Sequence, residues 1–132
     1  DANGRKMSKS EGNTINPLDV MKTYGADILR LWALSVDFTE DHRIGDEILK
    51  GVADQYRKLR NTFRYLLGAL DGFSEAERLP VAEMPALERW VLHRLAMLSG
   101  ELKAAVNAYD FNRYTSLIND FVQNDLSAFA MD

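Results

Sequence analysis

Apolar residues recur every three or four positions through the longest patterned stretch of this chain, from about Asp46 to Leu70. This spacing places them on one face of an α-helix, because a helix turns once every 3.6 residues. The apolar positions of the stripe are Ile48, Val52, Tyr56, Leu59, Phe63, Leu66, Leu67 and Leu70. A single helix cannot bury such a stripe, so the pattern predicts a bundle in which other helices cover it.

Two further stretches near the C-terminal end have the same spacing. Pro85 is suited to begin one helix, and Asp110 is suited to cap the next. The predicted inward positions are Leu87, Val91, Leu95, Leu98, Leu102 and Val106 in the first helix, and Tyr114, Leu117, Ile118, Phe121, Val122 and Leu126 in the second. Helices joined by short turns normally pack antiparallel. No stretch alternates apolar and polar residues as a strand would, so the predicted fold class is all-α.

The first 43 residues carry a shorter helical pattern. Asn16 and Pro17 can cap and begin a helix that Gly25 ends. The following stretch, 26–36, is apolar nearly all round, which predicts a buried helix at the centre of the N-terminal part. Asp27 and Arg30 lie three positions apart on it and are expected to form a structural ion pair.

Composition narrows the classes of site that the chain can hold. It contains no cysteine, and its two histidines, His42 and His93, are far apart in sequence, so no metal site is predicted. No apolar run is long enough to span a membrane, and the polar first ten residues do not resemble a signal peptide, so we expect a cytoplasmic protein. The net charge is -4, but 11 of the 16 Lys and Arg residues lie within 1–70, which is where a basic surface is expected. The chain opens without Met, which suggests a segment of a longer protein.

A glycine-hinged loop precedes the helices. Gly4 and Gly12 flank the string Lys6-Met7-Ser8-Lys9-Ser10. Two lysines on such a loop can close over a triphosphate, where each ammonium group stabilises negative charge on phosphate oxygens. The alternative is a solvated basic loop with no specific role, as most charged surface loops are.

This string, with Gly12-Asn13, Pro17 and Tyr24-Gly25-Ala26-Asp27 after it, resembles the signature loop of class I aminoacyl-tRNA synthetases. The continuation resembles the isoleucine-specific members more than their valine, leucine or methionine relatives. The segments that carry this narrower resemblance are 26–32, 35–37, 41–44, 56–67, 87–90, Tyr109 and 125–129. The sequence departs from the expected pattern in two places, at Glu11 and at Ala130-Met131.

The resemblance implies an isoleucine–tRNA ligase, which activates isoleucine with ATP and Mg²⁺ and transfers it to isoleucine tRNA. It implies that Lys9 is the main catalytic residue and Lys6 a supporting one, within an ATP-binding set of Lys6, Met7, Ser8, Lys9 and Ser10. It implies that residues 1–43 end the catalytic domain and that 44–132 begin an incomplete helical tRNA-binding domain like the family's anticodon-binding domain. Because the nucleotide-binding sheet and a His-x-Gly-His motif are missing, this segment alone is expected to be inactive. The resemblance also implies that the longer parent is a monomer.

A basic stripe on the long helix is the candidate RNA contact. Arg57, Arg60 and Arg64 fall on one flank, with Lys58 elsewhere on the surface, and such a stripe can follow a phosphate backbone. The alternative is a solvated face, or pairing with acids such as Glu88 or Asp120.

Four aromatic residues are interpreted as packing residues, namely Trp32, Trp90, Tyr65 and Tyr109. Three other functions stay open: a non-catalytic helical RNA-binding module, a synthetase of the valine or leucine type, and a helical interaction domain without RNA contact.

Overall fold

The computed structural model describes residues 1–131, and every regular element within them is helical. The predicted all-α class is therefore confirmed for this part of the chain. The helices are α1 (Pro17–Tyr24), α2 (Ala26–Ser35), α3 (Asp46–Ala69), α4 (Ala86–Asn107) and α5 (Phe111–Asp120). Two 3₁₀ turns, Glu75–Glu77 and Val81–Glu83, lie between α3 and α4, and α5 continues without a break as a π-helical segment, Phe121–Ala130.

The predicted helix caps are confirmed. The Asn16 side chain accepts a hydrogen bond from the Leu18 N–H at 3.0 Å, and the Asp110 carboxylate accepts one from the Arg113 N–H at 3.0 Å. Each bond satisfies an N–H group that the first helical turn leaves without a partner. Gly25 separates α1 from α2 with φ +88°, a conformation that costs glycine least.

The α5 helix and its π-helical continuation run parallel to α3. Asn119 donates to Gln55 at 3.4 Å, and further along both elements the Ser127 and Thr62 hydroxyls lie 3.2 Å apart. Because both sequence positions increase together, the two elements point the same way. The α4 helix, which lies between them in sequence, therefore returns the chain before α5 begins.

The α4 helix packs antiparallel to the same element, as predicted. Arg94 contacts Asp125 at 3.1 Å, and one turn further along α4 the buried Leu98 packs with Phe121 and Val122. From Arg94 to Leu98 the position along α4 increases, while the position of the contacted residue decreases from Asp125 to Phe121, so the two elements run in opposite directions. The turn between Asn107 and Phe111 is short enough to require this reversal.

Apolar side chains form two separate clusters. The first joins Val20 of α1 to Ile44 and Leu49, and Leu49 is only 1% exposed. The second cluster is Leu98, Phe121 and Val122, with partly buried neighbours Leu59, Val91, Leu102, Leu117, Ile118 and Leu126. Because the first cluster draws residues from both sides of position 43, the contacts cross the predicted boundary between 1–43 and 44–132. That boundary stays a prediction.

The predicted inward stripes are wrong over part of their length. Val52 and Leu98 are buried, but six other predicted positions are exposed: Phe63, Leu67, Leu70, Leu87, Leu95 and Val106. The reason is that α3 packs against α2 and the π-helical segment, and α4 packs against α5 and the same segment, while no further described helix packs extensively on either.

The prediction that α2 is a buried helix is also wrong. Only Ile28 of this helix is buried, and Leu34 is 42% exposed. The Asp27–Arg30 pair forms at 2.7 Å, but both side chains are about two-thirds exposed, so it contributes roughly 0–1 kcal/mol as a surface pair. Trp32 is half-buried against the first cluster.

Candidate functional site

The lysine-rich loop folds around two left-handed glycines. Gly4 has φ +78° and donates its N–H to the Asp1 carbonyl at 3.0 Å; Gly12 has φ +65° and donates to the Lys9 carbonyl at 3.3 Å. These turns favour glycine because a Cβ atom is strained at positive φ. The predicted hinges therefore lie at both ends of the loop.

The two lysines project from this loop into solvent. Both side chains are exposed, and no carboxylate of residues 1–131 lies within 4 Å of either ammonium group. Two serines shape the tip of the loop around Lys9. The hydroxyls of Ser8 and Ser10 lie 3.1 Å apart, and Ser8 Oγ also accepts from the Glu11 N–H at 3.2 Å. Met7 is 40% exposed. The loop thus presents two cationic groups that are available to an anion.

Asn13 and Asp1 form a hydrogen-bonded clip across the base of the loop. Asn13 Nδ2 donates to Asp1 Oδ2 at 3.1 Å and to the Lys6 carbonyl at 3.2 Å, and Asn13 Oδ1 accepts from the Ser8 N–H at 2.8 Å. The Asp1 carboxylate also accepts from the Arg5 N–H and Nε at 2.9 and 3.2 Å. The clip therefore fixes the backbone on both sides of Met7.

A cleft of about 510 Å³ lies between this loop and the segment before α3. Its polar lining includes Arg5 and Lys6 from the loop, His42 and Arg43 from the facing segment, and two acids, Asp1 and Asp41. Arg5 is paired with Asp1 at 3.2 Å. Lys6 and Arg43 remain as the cations that face an anion entering this cleft.

Trp32 holds the far wall of the cleft. Its Nε1 donates to the Arg43 carbonyl at 3.2 Å, and its ring meets His42 edge to face with the centroids 6.2 Å apart. The next residues pack closely on the loop base, since a methyl group at Gly45 would lie 2.7 Å from the Ala2 side chain. Trp32, predicted as a packing residue, thus also positions this wall.

The basic residues of α3 differ in their pairing. Arg57 donates to Asp54 on the same helix at 2.9 Å, and Lys58 reaches Gln123 at 3.5 Å. Arg60 and Arg64 are exposed, and within the described chain no carboxylate lies within 4 Å of either. The considered pairing with Glu88 or Asp120 does not form.

A polar groove of about 470 Å³ runs beside this stripe, between α3 and the π-helical segment. Lys58, Asn61 and Tyr65 line one side, and Gln123 and Ser127 line the other. Tyr65 is 57% exposed, so its interpretation as a packing residue is wrong. The same holds for Tyr109, which is 68% exposed with φ 56° in the turn before α5.

Trp90 is half-buried and meets Phe129 edge to face, with ring centroids 5.1 Å apart. Its predicted packing role is consistent with this contact.

Other kinds of site find no support in the part of the chain that the structure describes. Residues 1–131 contain no group of three His, Cys, Asp or Glu side chains arranged to hold a metal ion. No helix among them is long and apolar enough to cross a membrane.

Comparison with known proteins shows what the first part of the chain is similar to. Residues 1–45, which contain the loop, the cleft wall and the first two helices, match the family model described as tRNA synthetases class I (I, L, M and V). This is the class that the lysine-rich loop resembles.

The full chain is similar to one kind of enzyme within this class. All 132 residues align with isoleucine–tRNA ligases, at 58% identity to that of Zymomonas mobilis. Identity is 56% to the ligase of Ruegeria pomeroyi and 53% to that of Caulobacter vibrioides. The chain is thus homologous along its whole length to a segment of isoleucine–tRNA ligases, and it spans 14% of the length of these relatives.

Sequence reasoning missed the clip and the cleft wall. Asn13 and the segment 41–44 were noted only as part of a resemblance, and Asp1 was not singled out. The spacing of twelve residues between Asp1 and Asn13 carries no periodic signal, because a loop rather than a helix or strand brings them together. The one signal that could have suggested a local hydrogen-bonding role is that Asn13 is an asparagine directly after the turn at Gly12.

Proposed function

We propose that these residues serve an isoleucine–tRNA ligase, which activates isoleucine with ATP and transfers it to isoleucine tRNA. In the first step an isoleucine carboxylate oxygen attacks the α-phosphorus of ATP, and the bond to the departing pyrophosphate breaks. In the second step a terminal ribose hydroxyl of the tRNA attacks the acyl carbon and AMP leaves. Homology to isoleucine–tRNA ligases over the entire chain is the observation that carries this proposal.

The loop at residues 4–12 is proposed to handle the ATP phosphates. Lys9 stabilises negative charge that develops as pyrophosphate departs, and Lys6 supports it from the cleft side. Met7, Ser8 and Ser10 shape the loop around the phosphates. The exposure of both lysines supports these roles, because an ammonium group without a carboxylate partner is available to phosphate oxygens.

Mg²⁺ is proposed to enter with ATP, since phosphate-bound Mg²⁺ usually keeps few protein ligands. No residue described here is assigned to the ion, because no ligand cluster is present in residues 1–131.

Replacing Lys9 with alanine in the full-length protein tests the ligase assignment. ATP–pyrophosphate exchange should fall about 100-fold or more, the usual effect of removing a preorganised group that stabilises transition-state charge. Lys103→Ala is the matched control, because Lys103 is an exposed lysine of α4, on a different element from the loop, and this variant should keep wild-type exchange. Normal exchange by Lys9→Ala would refute the assigned role of the loop.

The helices from residue 44 onward are proposed to bind isoleucine tRNA, with Arg57, Lys58, Arg60 and Arg64 as phosphate contacts. The stripe supports this because two of its arginines lack carboxylate partners among the described residues and a polar groove lies beside it. The division into a catalytic part at 1–43 and a tRNA-binding part at 44–132, similar to the family's anticodon-binding domain, belongs to the same proposal.

The assigned parent is a cytoplasmic monomer, and residues 1–132 by themselves are proposed to be inactive. A class I active site needs a nucleotide-binding sheet, and no strand occurs in the portion described here. The competing function, a non-catalytic RNA-binding module, predicts tRNA binding with no contribution of Lys9 to exchange.

A further inference from the structure

We propose that Asn13 is a positioning residue of the phosphate-handling loop, acting with Asp1 to fix the directions in which Lys6 and Lys9 project. The inference rests on the proposed function of the loop. It adds a residue outside the lysine and serine string and assigns it a specific set of hydrogen bonds.

The Asn13 amide uses both kinds of hydrogen-bonding group at once. Nδ2 donates to the Asp1 carboxylate and to the Lys6 carbonyl, while Oδ1 accepts from the Ser8 N–H. An aspartate cannot donate at this position, and an alanine can neither donate nor accept. The half-buried amide thus joins three separate points of the loop, and only an amide side chain of this length makes all three bonds.

The Asp1 carboxylate is the fixed end of the clip. Besides Asn13 it accepts from the Asn3 N–H at 3.0 Å and from two groups of Arg5, so four hydrogen bonds converge on its two oxygens. Hydrogen bonds to a charged acceptor are stronger than neutral ones. Asp1 therefore anchors the first turn of the loop, and Asn13 ties the later half to it.

Two of the hydrogen bonds from Asn13 hold the backbone on the two sides of Met7. Asn13 binds the carbonyl of Lys6 and the N–H of Ser8, the residue before Lys9. Backbone position at these two points determines where each lysine side chain begins. Because phosphoryl transfer depends on placing charge accurately, loss of the clip should reduce the chemical step more than it reduces substrate binding.

The test uses four variants of the full-length protein: Asn13→Ala, Asn13→Asp, Asp1→Asn and the double variant D1N/N13D. ATP–pyrophosphate exchange gives kcat and the KM for isoleucine. We expect Asn13→Ala to lower kcat on the order of 100-fold, the effect of a small misplacement of catalytic groups, with KM for isoleucine unchanged. Asn13→Asp should be at least as impaired, because it sets two carboxylates against each other at the present 3.1 Å contact.

The double variant tests whether positions 1 and 13 act through their mutual hydrogen bond. In D1N/N13D the amide introduced at position 1 donates to the carboxylate introduced at position 13, which still accepts from Ser8. The bond between positions 1 and 13 is thereby rebuilt with its donor and acceptor exchanged, while the bond to the Lys6 carbonyl is not restored. The kcat of the double variant should therefore recover in part, above that of either single variant. Such rescue shows that the two side chains act through their mutual hydrogen bond, because a double-mutant cycle measures their coupling. Trypsin cleavage at Lys6 and Lys9 distinguishes local opening of the loop from loss of the whole fold.

Asn16→Ala is the matched control. It removes another asparagine side chain only three residues away, one that caps α1 and makes no contact with the loop. Exchange by this variant should equal that of the wild type. Trypsin cleavage after Lys6 and Lys9 without ATP should be faster in Asn13→Ala than in Asn16→Ala, because the released loop opens more often.

Two results bear on different conclusions. In the first case Lys9→Ala loses exchange, but Asn13→Ala keeps wild-type kcat or the kcat loss of the double variant equals the product of the two single kcat losses. The clip then has no positioning role, and the proposed function of the loop stands. If Lys9→Ala itself keeps full exchange, the proposed function of the loop is refuted and the positioning inference falls with it.

Discussion

Neutralising Arg60 and Arg64 together should weaken the binding of isoleucine tRNA and make it less sensitive to salt. Both side chains are exposed, and among residues 1–131 no carboxylate lies within 4 Å of them, whereas Arg57 is already engaged by Asp54 at 2.9 Å. Each arginine that contacts a phosphate releases a condensed counterion, which is the origin of the salt dependence. Arg60 and Arg64 should therefore contribute more than Arg57.

The size of the effect follows from counting contacts. One phosphate contact changes the slope of log K against log salt by about 1, so R60Q/R64Q should reduce the steepness of the slope by about 2. A fourfold rise in salt concentration should then lower the tRNA affinity of the variant by a factor about 16-fold smaller than for the wild type. R57Q should change the slope less than either single substitution at Arg60 or Arg64, because its guanidinium is partly committed to Asp54.

Fluorescence anisotropy of labelled isoleucine tRNA across a salt series measures this slope in the full-length protein. The control R89Q/R113Q removes the same charge from exposed arginines of α4 and α5 and should leave the slope unchanged. Equal changes in both double variants would mean that overall charge, and not a contact on α3, governs binding. An unchanged slope in R60Q/R64Q would refute the stripe as a phosphate contact.

Two further predictions concern the fold around the loop. Leu49→Ala should lower the free energy of unfolding by about 2–5 kcal/mol, because it empties a fully buried position. Leu70→Ala, at a 55% exposed position, should have little effect on that free energy. Urea unfolding followed by tryptophan fluorescence checks both. Hydrogen bonds from the Thr39 hydroxyl and N–H lower the pKa of Asp37 from its ordinary value of 3.8. The stability that this turn contributes is therefore present above pH 3.8 and is lost as the pH falls through the lowered pKa. Thr39→Val should raise the pKa of Asp37 in an NMR titration, and no rise would show that the hydroxyl does not cause the lowering.

Local signals were read correctly from the sequence. The caps at Asn16 and Asp110 and the break at Gly25 depend on residues within one helical turn, and all three are present. The Asp27–Arg30 pair also forms at its predicted spacing, since three positions bring two side chains to one helix flank. Its exposure was missed, because burial depends on what packs against that flank.

Part of the candidate site was also predictable from the sequence. The lysine and serine string identified the loop, and its resemblance to the synthetase signature agrees with the family match over residues 1–45. The Asn13 clip was not predictable, because its bonds join residues five to twelve positions apart through irregular backbone. The exposure of Tyr65 was missed as well, since an aromatic residue on a helix is more often covered than free.

The sequence by itself determined where the helices lie, which class of loop precedes them, and the resemblance to isoleucine–tRNA ligases. Periodicity, caps and glycine breaks act over a few neighbouring residues, so they can be read directly from the chain. Only the tertiary structure decided that α5 runs parallel to α3, that part of the apolar stripes of α3 and α4 is left uncovered, and that Arg60 and Arg64 have no partner within the described residues. These properties depend on contacts between distant segments, and the free energy of such contacts is set by the packing of all the elements together.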